Sequence, residues 1–297
     1  MASELDYEPN QAAISFKKGK TFTLGVILPN LGEEFFSMAI SSIEDTASKN
    51  KYIVLVGQSH DDIERERKIV EAMRRHRVDG IIVSISKNTD CFEHFEELKK
   101  YKIPVVFFDR VPESNDVYKI SCSLKQCSIA MVDWLVEKGH KRIGFIKGPG
   151  SMSATDERMQ GYIQGLAKNN IKVDTTLIVE TDLTPSQNIV AMDRLLALKD
   201  VPPAVIVFND YVALDVIKHT KQKGYKINKD IYFASYANLP ITSYLDDPPI
   251  ISVEQFPNQQ AEKATEILLM LIDSKSARGE IKNKIVLESK LVVNQKQ

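Results

Sequence analysis

Nine short runs of apolar, largely β-branched residues recur along the chain. They are Phe22–Leu28, Tyr52–Val56, Gly80–Ser84, Pro104–Phe108, Arg142–Ile146, Thr176–Val179, Ala204–Phe208, Ile231–Ser235 and Ile250–Val253. Continuous apolar runs of this length suit strands buried on both faces, as in a parallel sheet. Between them the apolar residues repeat at helical spacing. Phe35, Ala39, Ile43 and Ala47 share one face, and Ile129, Val132, Leu135 and Val136 form a stripe closed by Lys138-Gly139. Strand and helix alternating over the whole length define an α/β fold.

The 297 residues are enough for two packed units. The rhythm breaks in the polar stretch Tyr118–Cys127 and restarts at Arg142, so two doubly wound parallel-sheet lobes are expected. The expected division is a leader over 1–20, a first lobe of 21–121 plus 256–284, and a second lobe of 122–255 plus 285–297. Near the end, Asn258–Ile272 reads as one long helix and Ile285–Val293 as a last strand.

Composition removes several classes of function. A formal net charge of −1 gives the chain no overall attraction to nucleic acid or anionic lipid. The first residues lack the basic and apolar regions of an export signal, and no apolar run is long enough to span a membrane. Cys91, Cys122 and Cys127 lack Cys-x-x-Cys spacing, which fits free thiols in a reducing compartment. There is no nucleotide-binding glycine motif, no nucleophile elbow and no cluster with metal-ligand spacing. Gly148-Pro149-Gly150 reads as a turn, and Asp61 or Asp62 as the cap of a helix over Ile63–His76. No catalytic residue, cofactor or metal is expected.

In open parallel sheets a ligand sits beyond the carboxyl ends of the strands. The residues following the strands here include Gln58, Asp109-Arg110, Leu183, Asn209-Asp210 and Tyr236, and an early helix carries Phe35-Phe36. Polar and aromatic residues gathered at strand ends describe a place for a small polar ligand.

The ordered set YEPNQAA, SFKKGKT, LGVILPNL, RVDGIIV, IPVVFFDR, EKGHKRIGFIKGP, ERMQGY, FNDYVAL and PPIISVEQ resembles the lactose-repressor/galactose-repressor family of bacterial transcription regulators. The resemblance runs from about Leu5 to about Val293. It implies a periplasmic-binding-protein-like pair of lobes and a helix-turn-helix head ahead of the Tyr-x-Pro-Asn segment, a head absent from this chain. It also implies that Tyr7–Lys20 is a hinge that becomes helical on DNA. Within it Pro9 stands at a helix start, Ala13 lies on the helix, Phe16 takes the place of a minor-groove leucine wedge, and Lys17 lies near phosphates.

The same resemblance makes Phe36, Gln58, Asp109, Arg158, Leu183, Asn209, Asp210 and Tyr236 effector-binding candidates. Each has a plainer reading beside it. Phe36 could be core. Asp109 could be a surface turn with Arg110, and Arg158 could pair with Asp156 or Asp182. Asp210 could cap the helix over Tyr211–Lys223, leaving Asn209 for the ligand. Arg158 is expected in the first turn of its helix. Where the family commonly carries Gly-aromatic-Asp, this chain has Ser235-Tyr236-Ala237, so an ordinary hexose grip is in doubt.

Together these readings imply the effector-sensing, dimerising core of a cytoplasmic regulator. Its effector would be a sugar, sugar phosphate or other small polar molecule, and operator DNA would be bound through the head. The homodimer would use Ile69, Val70 and Met73 within Glu64–His76, with Leu214 and Tyr244. The rival is a transport-type periplasmic solute-binding receptor on the same fold.

Overall fold

The computed structural model describes residues 19–273 and 281–294. Pro9, Ala13, Phe16 and Lys17 of the expected hinge lie outside the described residues. The described residues divide into two compact units: those within 19–32, 36–120 and 258–284, and those within 33–35, 121–257 and 285–294.

The first unit is built on β1 (Thr23–Leu28), β2 (Ile53–Gln58), β3 (Gly80–Val83), β4 (Val105–Phe108) and β5 (Tyr118–Ser123). The sheet order is β2-β1-β3-β4-β5, extended past β5 by β11 (Lys284–Glu288). The pairs β1–β2, β1–β3, β3–β4 and β4–β5 are all parallel. Helices α1 (Glu34–Lys49) and α2 (Ile63–Arg75) make the long crossovers, and a short α3 (Glu93–Glu96) makes the next. Helix α8 (Pro257–Asp273) returns to this unit.

The second unit repeats the plan with β6 (Ile143–Lys147), β7 (Ile178–Glu180), β8 (Ala204–Val207), β9 (Tyr232–Ala237) and β10 (Ile251–Glu254). Their order is β7-β6-β8-β9-β10, closed by β12 (Lys290–Val293), which runs antiparallel to β10. Its helices are α4 (Leu124–Glu137), α5 (Ser153–Lys168), α6 (Pro185–Leu196) and α7 (Asp210–Gln222). Both sheets therefore carry a topological switch beside their first strand, between β1 and β3 and between β6 and β8. There the chain leaves adjacent strands in opposite directions and opens a crevice.

Three sequence expectations change. The polar stretch Tyr118–Cys127 does hold the boundary between the two units, after Ile120, but the strand–helix rhythm does not pause there: it holds β5 and the start of α4. Ionic Lys119 misled the pattern. Its ammonium is buried, yet it donates to the carbonyls of Pro112 (2.7 Å), Glu113 (3.1 Å) and Ser114 (2.8 Å), so the strand keeps a charge and stays satisfied. The last strand is two strands in different sheets, β11 and β12. Finally, β2 is not buried on both faces. It lies at the sheet edge, and Ile53, Leu55 and Val56 are exposed, Ile53 by 69%.

Helices α4 and α5 approach closely because α5 presents Gly161 and Gly165 one turn apart. A Cβ on Gly161 would fall 2.5 Å from the Lys125 carbonyl oxygen and 2.4 Å from Ser128 Cβ, and one on Gly165 would fall 2.6 Å from Val132 Cβ. The backbone of α4 cannot yield as a flexible side chain would. Gly161→Ala is therefore expected to lower unfolding free energy by about 1–3 kcal/mol despite the higher helix propensity of alanine. Urea unfolding of the variant beside the wild type measures it.

Candidate functional site

In the second unit the carboxyl ends of β8, β9 and β10 converge on two buried ionisable side chains. The first is Asp210. Asn209 caps α7, its Oδ1 accepting from the Val212 N–H at 3.0 Å. That assignment reverses the expected one, in which Asp210 was the cap. Asp210 is instead the first helical residue, and its carboxylate is wholly enclosed. It accepts from the Leu239 N–H at 2.6 Å, from the Ser235 hydroxyl and from the Ser252 hydroxyl at 3.4 Å. Asparagine suits the cap because it needs only one acceptor there. The deeper position has three donors facing it, which a carboxylate can satisfy together. Burial raises the Asp210 carboxyl to about 6, against the partial opposition of those donors.

The second is Arg158, 4% exposed. It is the sixth residue of α5, in the second turn and not in the first as expected. Its guanidinium lies between two rings, 4.2 Å from the Phe208 centroid and 4.4 Å from that of Tyr236. Nη1 donates to the Phe208 carbonyl at 2.9 Å and Nη2 to Gln255 Oε1 at 3.3 Å. A weakly hydrated planar cation is suited to such a slot. Gly148 makes room for it indirectly: a Cβ there would sit 2.6 Å from the Phe208 ring.

Tyr236 is fully buried beneath this cation. The Ser128 hydroxyl donates to the Leu124 carbonyl at 2.9 Å, so the Tyr236 hydroxyl donates to Ser128 Oγ at 2.7 Å. Burial pushes the phenol up to about 12, keeping it a donor. Leu183 stands in the loop after β7 at φ +73°, its N–H donated to Thr181 Oγ1 at 3.1 Å, and packs partly on the core. Structure thus brings Arg158, Tyr236 and the Phe208–Asp210 turn together, with Tyr236 and Asp210 enclosed as supports. Sequence reasoning missed Phe208, Gln255 and Ser128. Phe208 closes an apolar run and looked like core, and nothing local marks the other two.

In the first unit Phe36 is buried, with the Arg110 guanidinium 5.6 Å above its ring. Arg110 Nη1 donates to Asp61 Oδ1 at 2.6 Å, while Asp62 caps α2. Asp109 follows β4 at φ +58°, and its N–H reaches the Ile120 carbonyl at 3.0 Å and Gln260 Oε1 at 3.2 Å. Gln58 ends β2, with Nε2 2.8 Å from His60 Nδ1 and 3.4 Å from Asn30 Oδ1. Nearby, Glu66 of α2 is fully buried. It accepts from the Ser86 N–H (2.8 Å), the Thr89 hydroxyl (2.9 Å) and His94 Nε2 (3.0 Å). A glutamate in a run of alternating charges gave no sign of that burial. The three cysteines are free thiols. Among the described residues no helix is long and apolar enough to cross a membrane.

Two doubly wound sheets with polar groups at the strand ends define a periplasmic-binding-protein-like sensor core, and the comparisons agree. The model of the periplasmic binding protein domain matches residues 24–276. The HTH-type transcriptional repressor PurR of Vibrio atlanticus (strain LGP32) is 30% identical over 92% of this chain and 81% of its own. The solved structure of transcription regulator CcpA of Lactococcus lactis is 27% identical, with TM-score 0.82 over 91% of this chain and 97% of that one. A periplasmic binding protein/LacI transcriptional regulator from Alkaliphilus metalliredigens QYMF, complexed with D-xylulofuranose, is 26% identical with TM-score 0.79, over 91% and 97%. The chain belongs to the lactose-repressor/galactose-repressor family of transcription regulators. These relatives are regulators and not enzymes, and they favour the regulator over the transport-type receptor.

Two measurements follow from the second unit. Asp210 has its folded value raised from 3.8 to about 6, so protonation favours the folded state. Its stabilising contribution is complete below pH 3.8 and is lost as pH rises through about 6. Converted at 1.36 kcal/mol per pH unit, the loss is about 3 kcal/mol. The wild type should accordingly gain stability relative to Asp210→Asn as pH falls from 7 to 4, read by chemical denaturation of both. Ala237 holds φ +97°, a region costly for any residue with a Cβ. Ala237→Gly should raise stability by about 1 kcal/mol, seen as a later denaturant midpoint.

Proposed function

We propose that this chain is the sensing core of a DNA-binding repressor whose effector is a small hydroxylated molecule of sugar size. The observation that carries this is the Arg158 guanidinium, fixed between Phe208 and Tyr236 at the carboxyl end of β8. A cation held on two rings and a carbonyl is preorganised, and its forked donors fit vicinal hydroxyls or a carboxylate. The groups proposed to meet the effector are Arg158, Leu183 and Asn209 of the second unit. Asp210 and Tyr236 hold that end of the second unit in shape. The xylulofuranose complex of the Alkaliphilus relative supports a sugar. Ala237, in place of the carboxylate expected from the family, argues for fewer hydroxyl contacts than a hexose makes.

The regulator acts in the cytoplasm and binds operator DNA through a helix-turn-helix head. Effector binding alters operator affinity by a coupling free energy of about 1–3 kcal/mol. A thermal-shift screen of pentoses, hexoses, sugar phosphates and nucleosides tests it. One class should raise the melting temperature, and Arg158→Lys, which keeps the charge and loses the fork, should abolish that rise. A rise undiminished in Arg158→Lys would remove Arg158 from the site. Arg158→Ala is a poorer probe, because it empties a buried slot and destabilises the unit itself.

The protein is proposed to work as a homodimer, with the exposed edge strand β2 at the interface. Val70 and Met73 cannot serve there, since both are buried in the first unit and Ile69 packs on the same core. Ile53, Leu55 and Val56 form an apolar edge of the kind that proteins cover. Tyr244, 87% exposed, offers the second unit's contribution. Ile53→Lys should shift sedimentation from dimer toward monomer without changing the circular dichroism spectrum.

A further inference from the structure

The crossover from β3 to β4 is short. It consists of the four-residue α3 and a five-residue 3-10 turn, Glu97–Tyr101, against 16 and 13 residues in α1 and α2. Two turns cannot cover the strands beneath them. Val105 and Val117 are left half-buried beside the core, and a cavity of about 350 Å³ opens over them. Its aromatic walls are Phe92, Phe95, Phe107 and Tyr118. All belong to the first unit.

The cavity does not close by local collapse. One wall is the loop carrying Pro112 and Ser114, and the Lys119 ammonium fixes that loop through three carbonyls at 2.7–3.1 Å. The opposite wall, Phe95 and Phe107, is locked edge to face at 5.2 Å. Apolar walls held apart forgo dispersion contacts that a ligand would supply, and the volume lies in the range of small-molecule sites.

Polar groups stand on the rim. Lys99 and Lys102 line it and are exposed, and neither makes an ion pair among the described residues. Glu96 and Asp116 stand on the same rim. With two carboxylates beside the two lysines the rim is neutral as a whole, so a polyanion gains little there and a single carboxylate gains only where it is set directly against Lys99 and Lys102.

We propose that this cavity is a small-molecule site separate from the effector site, and that it takes an amphipathic monoanion with an aromatic or short hydrocarbon body and a single carboxylate. The body stacks among the four aromatic rings, and the carboxylate meets Lys99 and Lys102.

Isothermal titration of the full chain with 4-phenylbutyrate and with its neutral counterpart, 4-phenylbutan-1-ol, tests this. The carboxylate should bind saturably with one-to-one stoichiometry and more tightly than the alcohol. In the variant Lys99→Gln, Lys102→Gly the carboxylate should weaken by about tenfold or more, to the level of the alcohol. Glycine is chosen because Lys102 holds φ +61°. Val105→Trp, which fills the cavity, should remove binding of both probes. If that variant unfolds, Val117→Trp fills it from the neighbouring wall. Absence of saturable carboxylate binding to the wild type overturns the proposal. So does binding that survives the filled cavity, or carboxylate affinity unchanged in the lysine variant.

Discussion

One enclosed carboxylate organises the functional end of the second sheet. Asp210 takes a donor from the loop after β9 and hydroxyls from β9 and β10 while it starts the helix that follows β8. Three consecutive strand ends are thereby tied to a single side chain. Its burial is costly, as its raised pKa shows, and the cost is offset only while every donor keeps its place. The turn Phe208–Asp210 is held in consequence. The Phe208 carbonyl and ring are fixed with it, and Arg158 has its slot.

The first unit reaches a similar end by different residues. Glu66, also a buried carboxylate on a helix, gathers donors from the Ser86–Thr89 loop and from His94. Arg110 is held by Asp61 and lies above Phe36. In both units the sheet's apolar interior is generic, and the polar groups at the strand ends are individual. That division suits a family of regulators sharing one scaffold. The strands supply rigid positions, and the groups after them can change with the ligand without disturbing the core.

The two departures from full burial belong together physically. A parallel sheet needs cover on both faces, and the crossovers provide it. Where the sheet ends, at β2, the apolar side chains Ile53 and Leu55 stay exposed. Where a crossover is too short, between β3 and β4, a cavity remains. Each is a place where the fold's own cover runs out.

The sequence by itself determined the alternation of strand and helix, the parallel sheets and the family. Apolar runs such as Ala204–Val207 are local patterns, and burial on both faces leaves little choice in how they are used. It could not determine β5, because a strand carrying Lys119 is tolerable only when three carbonyls from another loop surround the ammonium. Nor could it separate the roles of Asn209 and Asp210. Both residue types cap helices, and only the donors brought in by β9 and β10 decide which carboxyl or amide goes inside. Arg158 was legible as a position and not as an environment. Its two rings come from residues 50 and 78 positions away, and such contacts exist only once the sheet has brought β8 and β9 side by side.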